Sequence, residues 1–230
     1  MNKNLKEVLL GALFGGVVCI FLQLPLSSSC QAKFWFSKSS LAVEMAQQSG
    51  IRVSVLEMAL KAHQKAYQQG ITKSKLMTLI DYSLPSKTKR LWVLDLDKKK
   101  VVYHTHVAHG SGSGLGEAIK FSNRPGSYQS SLGLFLTGHT YQGKNGLSLR
   151  LHGLEPGVNH NAYQRAIVMH PAHYVSDSFV KQHGRLGRSW GCPAVSYADS
   201  RPIINTIKEG VLIFAYYPDH AWMKASKFIG

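Results

Sequence analysis

The chain is short of negative charge: its 230 residues carry 12 Asp and Glu against 27 Lys and Arg, a formal net charge of +15. It also has few cysteines (three) and shows no internal repeat or low-complexity linker. The acid shortage leaves a basic surface suited to an anionic partner, whether nucleic acid, a membrane surface or a carboxylate-rich polymer. No block of Lys and Arg with interleaved aromatics is present, and Lys98-Lys99-Lys100 falls in an expected hairpin turn. Nucleic acid is therefore not the expected partner. With 44% hydrophobic and 17% charged residues the chain can bury a core, which excludes general disorder.

Long apolar runs are equally scarce, and the one present, residues 8–26, follows Lys3 and Lys6 and precedes Ser27, Ser28 and Ser29. A basic start, an apolar stretch and small residues are the pattern of a secretory signal, with cleavage expected near residues 29–32. The run is also about long enough to serve as an uncleaved membrane anchor. Cys30 lacks the leucine three positions earlier that a lipidation box requires, since Ser27 stands there. Residues 1–32 are read as a signal peptide or N-terminal membrane anchor, and the chain as exported to the periplasm or cell envelope. Cys19 and Cys30 belong to that segment, so the mature chain keeps Cys192 alone. An unpaired cysteine in an oxidising compartment is a liability unless its thiol is used.

Two regions follow. Residues 33–74 read as a helical appendage: Leu56, Ala59, Leu60, His63 and Tyr67 recur at spacings of three and four along a helix expected over 41–69, with Gly70 as its stop. Residues 75–230 read as a β-rich body, because 21 glycines and many turn clusters punctuate short apolar runs. Strands are expected over 77–82, 90–96, 101–108, 132–137, 147–151, 165–170 and 211–217. A helix is expected over 199–208, capped by Asp199 or Ser200. Lys144-Asn145, between Gly143 and Gly146, makes a turn. The run from His109 to Gly116 lacks the Gly-Lys-Ser/Thr ending of a phosphate-binding loop and is read as a flexible wall of a groove.

His104 and His106 share a strand face at a spacing that suits a metal, and His139 or His152 could complete a hydrolytic set. No third ligand is identifiable from the sequence, so no metal and no cofactor is assigned. The sharper constellation is Arg188-Ser189-Trp190-Gly191-Cys192-Pro193 together with His170 at the end of an apolar strand. A cysteine attacks as its thiolate, and a histidine can take its proton. His170 is the expected base and His173 its rival. Gly191 would let the amides of residues 191 and 192 approach an oxyanion. Ser189 could orient His170 or the substrate, and Arg188 could bind a carboxylate.

The segment Gly187-Arg188-Ser189-Trp190-Gly191-Cys192-Pro193-Ala194 resembles the signature of the murein L,D-transpeptidase catalytic domain family, a variant branch of the YkuD-like L,D-transpeptidases. The likeness extends through Leu84-Pro85-Ser86, Val107-Ala108-His109-Gly110, Phe121-Ser122-Asn123, Ser130-Ser131-Leu132-Gly133 and Ile167-Val168-Met169-His170. It implies a mainly β fold, a sandwich or barrel with short peripheral helices. It also implies a cysteine acyl transfer on peptidoglycan stem peptides, with Cys192 attacking the L-centre carbonyl of a diaminopimelate residue and releasing D-alanine. The same resemblance implies a histidine oriented by a backbone carbonyl, with Gly191, Ser189, Arg188 and Trp190 around the substrate. The chain departs from the wider family in having Pro171 after the histidine, Trp190 in place of a second histidine, and Ala194 where Arg or Asn is common. An amine acceptor makes the reaction a transpeptidation and water makes it an L,D-carboxypeptidation. A cell-wall binding module without catalysis is the reading from another class.

Overall fold

The computed structural model describes residues 41–230. The expected leader, with Cys19 and Cys30, lies outside them. Among the described residues no helix is long and apolar enough to cross a membrane.

The single helix expected over 41–69 is two. Residues 41–49 form α1 and Val53–Gln68 forms α2. Between them Gly50 takes φ +70 and Arg52 is extended, while the Ile51 amide donates to Ser49 Oγ at 3.2 Å. That local bond offers the backbone an alternative to helix. The buried face of α2, which includes Val55, Leu56, Ala59 and Ala62, joins the main core against β1 (Leu76–Asp81) and β8 (Leu212–Tyr216). His63 is a packed residue bonded to the Ser74 carbonyl at 3.0 Å.

Eight strands make one mixed sheet in the order β3-β2-β1-β8-β4-β5-β6-β7. Besides β1 and β8 these are β2 (Leu91–Asp95), β3 (Lys100–Thr105), β4 (Gly133–Gly143), β5 (Gly146–Gly153), β6 (Val168–Pro171) and β7 (Ala194–Val195). Two pairings are parallel, β1 with β8 and β6 with β7. The chain leaving β3 then reaches β7: the Ala108 amide donates to the Ala194 carbonyl at 2.9 Å, an isolated antiparallel bridge. This contact brings the two ends of the sheet together, so it is nearly a closed barrel, joined there by a single bridge. The mainly β expectation holds.

Two short helices flank the sheet, α3 (Asp177–His183) and α5 (His220–Ala225), and α4 (Tyr197–Ile207) packs on β1, β5 and β6. The start of α4 corrects the expected cap. Ser196 caps it, accepting from the Asp199 amide at 3.0 Å, while the Asp199 carboxylate accepts from Ser196 Oγ and Thr105 Oγ1. The side chain read as the cap instead ties the helix to β3.

A buried arginine organises the entry to the glycine-rich run. Arg90 is fully buried; it donates to the carbonyls of Leu84 and Val107 and, at 2.7 Å, to His109 Nδ1. A guanidinium cannot accept, so Nδ1 must present its lone pair, and His109 Nε2–H faces the Gly114 carbonyl at 3.4 Å. Burial, then the positive charge of Arg90, drives the His109 pKa down to about 3. Residues 109–116 are thus pinned rather than a flexible wall: at Gly110 and Gly112 a Cβ would stand 2.3 Å from the carbonyls of Tyr128 and Ser127.

The neutral His109 links stability to acid. Between about pH 6.5 and 3 the unfolded chain binds a proton at this histidine that the folded chain refuses, so its contribution is complete above 6.5 and drains away as pH falls. Each pH unit across that window is worth roughly 1.4 kcal/mol, which puts a few kcal/mol at stake. Thermal melting followed from pH 7 to 4 should show a steep fall, and His109→Asn, though less stable at pH 7, should show a shallower one.

Candidate active site

Cys192 stands two residues before β7, and β6–β7 pairing sets His170 opposite Ala194. The same register carries Cys192 back to Val168, whose amide donates to Cys192 Sγ at 3.4 Å. The thiol in turn points at the Ala166 carbonyl at 3.6 Å. Cys192 is half-buried and is the free cysteine of the described residues. His170 is buried on the neighbouring strand, and its Nδ1 lies 2.9 Å from the carbonyl of Pro171. A carbonyl only accepts, so Nδ1 carries the proton and Nε2 is the free basic nitrogen. His170 stands two residues along β6 from the Val168 amide that meets Cys192, with no direct hydrogen bond between His170 and Cys192. His173, the rival base, lies beyond the strand and is exposed.

Electrostatically this is a neutral pair. Burial pushes the thiol of Cys192 up, against the opposing pull of the Val168 amide and the Arg165 guanidinium. Burial pushes His170 down; the Pro171 carbonyl opposes this and the Lys144 charge adds to it. Both effects have the sign expected of desolvation, which disfavours the charged form of either group.

The turn carrying Cys192 is built from its own residues. Ser189 Oγ accepts from the Gly191 amide at 3.1 Å and donates to the Cys192 carbonyl at 2.6 Å. Ser189 therefore shapes the turn and does not reach His170. The Gly191 amide, expected to face an oxyanion, is engaged by that bond, whereas the Cys192 amide has no partner among the described residues. Gly191 is required for another reason: φ is +123, and a Cβ would stand 2.8 Å from the Gln129 carbonyl. Arg188 does not reach into open space, because its Nη1 donates to the carbonyls of Ser111 and Gly114. Trp190 is 71% exposed, with the Tyr128 ring edge-on at 5.6 Å.

Sequence reading missed Arg165, which it placed at the start of a strand. Residues 162–166 instead close a turn: the Ile167 amide donates to the Ala162 carbonyl and the Ala166 amide to the Tyr163 carbonyl, with Ala166 at φ +53. That is a helix-type terminus in which alanine occupies the left-handed position usually given to glycine, so the sequence carried no glycine to mark it. The turn aims Arg165 back at the 122–131 loop, where its guanidinium donates to the carbonyls of Ser122 and Gln129 and to the hydroxyls of Ser127 and Ser131. Its Nη2 lies 3.5 Å from the point where a Gly191 Cβ would be. A fixed cation thus borders the residue before Cys192.

The four histidines considered for a metal do not form a set. His104 and His106 bond the carbonyls of Lys89 and Lys87, and His104 stacks on Trp92. His139 and His152 sit on β4 and β5, separated from β3 by β2, β1 and β8. No three His, Cys, Asp or Glu side chains of the described residues come together to hold an ion.

Because the charge of Arg165 favours the thiolate, its removal should push the thiol higher still. Iodoacetamide alkylation of Cys192, followed across a pH series, checks this. At pH 8 Arg165→Met should be alkylated about three- to tenfold more slowly than the wild type, the scale set by a partly exposed cation a few ångströms away. Arg165→Lys should recover most of the rate.

No curated protein matches the chain in sequence. Solved structures with a similar course include an L,D-transpeptidase from Mycobacterium smegmatis, 12% identical, with a TM-score of 0.40 over 62% of this chain and 59% of that one. Others are an L,D-transpeptidase from Stackebrandtia nassauensis, 12% identical, TM-score 0.38, covering 78% and 90%, and the helical cell shape determining protein of Campylobacter jejuni, 9% identical, TM-score 0.42, covering 69% and 56%. The chain spans about three-fifths of the length of the mycobacterial protein. The L,D-transpeptidase catalytic domain family model matches residues 47–216, from the end of α1 to the end of β8 and across Arg165, His170 and Cys192. On that match, which takes in most of the chain, the protein belongs to the L,D-transpeptidase catalytic domain family.

Proposed function

We propose that the protein is an exported cysteine acyltransferase acting on peptidoglycan stem peptides. The observation that carries this reading is the held thiol: Cys192 Sγ sits under the amide of Val168, two residues along β6 from a histidine whose Nδ1 is tied to a backbone carbonyl. In the reaction His170 Nε2 takes the thiol proton as Cys192 Sγ attacks the L-centre carbonyl of the diaminopimelate residue. The Cys192 amide donates to the resulting oxyanion and Arg165 supports it electrostatically. The carbon–nitrogen bond then breaks, His170 returns the proton to the departing D-alanine amine, and a thioester remains. An acceptor amine attacks that thioester, gives its proton to His170 and frees the thiolate, which is reprotonated. Ser189 and Arg188 serve this chemistry by holding the loop backbone, and Trp190 borders the substrate path.

Water as acceptor gives the L,D-carboxypeptidase reading through the same thioester. Residues 1–32 would deliver the domain to the envelope as a cleaved signal or keep it there as an anchor, and the appendage read over 33–74 would, through α1 and α2, cover the catalytic body of 75–230. The basic surface suits a carboxylate-bearing wall polymer. A wall-binding module without catalysis would leave the buried, tethered histidine beside the thiol without a use.

Purified protein mixed with a disaccharide-tetrapeptide should gain a covalent adduct on Cys192 by intact mass. Cys192→Ala should abolish it, and His170→Ala should slow it by about 10²-fold or more. Unmodified wild-type protein beside intact substrate would overturn the proposal. A cross-linked dimer identifies transpeptidation, whereas tripeptide with free D-alanine identifies carboxypeptidation. Because the base must be the neutral His170, whose pKa is held below 6.5, the acid limb of the acylation rate should have its midpoint below pH 6.5 and rise with pH through it.

A further inference from the structure

The tip of the β4–β5 hairpin meets Pro171 and Trp190, the neighbours in sequence of His170 and Cys192. Gly143 pairs with Gly146, leaving Lys144 and Asn145 as a two-residue turn. Gly146 takes φ +99, and a Cβ there would lie 3.4 Å from the Pro171 ring, so the turn packs against the residue whose carbonyl holds His170. Lys144 Nζ lies 5.3 Å from the centre of the Trp190 indole, whose other neighbour is the edge of Tyr128. A large aromatic left exposed beside a nucleophile is itself notable, and here it carries a cation on its face. Lys144 makes no ion pair among the described residues. Its charge is nevertheless felt at His170.

We propose that Lys144, held over Trp190 at the hairpin tip, is a specificity-determining residue that binds the free carboxylate of the leaving D-amino acid. This rests on the acyl-transfer reading above. The chemistry then places the carboxylate. His170 must protonate the departing amine, so the leaving residue lies on the histidine side of the scissile bond. Its carboxylate carbon is about 2.5 Å from that nitrogen, across one Cα. A cation just beyond His170 is where such a group needs its partner. Other cations nearby are committed: Arg165 to four acceptors on the 122–131 loop and Arg188 to two loop carbonyls. The indole of Trp190 aids in two ways. It limits where the Lys144 chain can go, and it shields the ammonium from water, which strengthens the pairing when substrate covers it. Neutralising Lys144 also removes one influence that holds His170 low, so a bound carboxylate favours the protonated histidine that must next protonate the amine. A stem ending in an amide offers no charge here, and one extended by a residue carries its carboxylate about 3.5 Å too far.

The test compares two donors in wild type, Lys144→Met and Lys144→Arg: a tetrapeptide stem with a free D-alanine carboxylate and the same stem ending in a carboxamide. The rate of adduct formation on Cys192 is followed by intact mass. A charge-assisted contact of the usual strength gives the wild type an acid-over-amide preference of about 10- to 100-fold. In Lys144→Met the ratio should collapse toward one, and Lys144→Arg should retain most of it. Circular dichroism and Tm should be unchanged, since the turn is exposed. A Lys144→Met ratio equal to the wild-type ratio, or a wild type that treats both donors alike, overturns the assignment of Lys144 while leaving the acyl-transfer reading standing. A wild type that forms no adduct with either donor overturns both.

Discussion

A two-residue parallel ladder bears most of the site. Pairing of β6 with β7 sets His170 opposite Ala194 and Pro171 opposite Val195, and thereby holds Cys192 against the Val168 amide. Two residues cannot sustain a strand pair alone. The ladder persists because β7 is gripped from its other side by Ala108, the contact that also brings the sheet edges together. Closure of the barrel and presentation of the cysteine are one structural event. That coupling explains the position of Arg90. Buried among carbonyls and His109, it fixes the residues on either side of the Ala108 bridge.

Around that ladder three loops meet with little room between them. The 109–113, 127–131 and 189–192 segments interlock through serine hydroxyls: Ser130 Oγ accepts from the Gly110 amide and donates to the Gly191 carbonyl, while Ser113 Oγ accepts from the Ser130 amide. Glycine is needed where backbone meets backbone, at positions 110, 112 and 191. Buried hydroxyls satisfying loop amides convert irregular segments into a stiff frame, which is how a loop-built site acquires fixed geometry. Three positive charges lie nearby: Arg165 beside Gly191, Arg188 in the loop, Lys144 over Trp190. A neutral thiol and imidazole at rest, set in positive potential, is an arrangement that favours negative charge as it develops on sulfur and oxygen.

Much of the β framework was legible because its strands are apolar runs bounded by turn residues. The hairpin at 97–100 and the Lys144-Asn145 turn were recognisable from local chemistry alone. Misses occurred where a short-range bond overruled a pattern. Ser49 and Gly50 split a periodic helix, Ser196 took the cap assigned to Asp199 or Ser200, and Ala166 adopted a left-handed conformation that no glycine announced. The glycine-rich run looked mobile by composition yet is fixed by contacts with residues distant in sequence.

The sequence by itself determined the chemistry available: a cysteine inside Ser-Trp-Gly-Cys-Pro, a histidine after an apolar run, and an excess of cations. These are statements about residue type and local order, which one-dimensional patterns record. Tertiary structure decided which of those groups act on one another. It chose the Pro171 carbonyl as the partner of His170, turned Ser189 and Arg188 to holding loops, and brought Arg165 and Lys144 to the cysteine face. The physical reason is distance along the chain. The bonds of His170 to Pro171 and of Ser189 to Cys192 are local. Cys192 and Val168, Arg188 and Ser111, and Lys144 and Trp190 lie tens of residues apart, and their meeting depends on strand register and barrel closure, which no local propensity encodes.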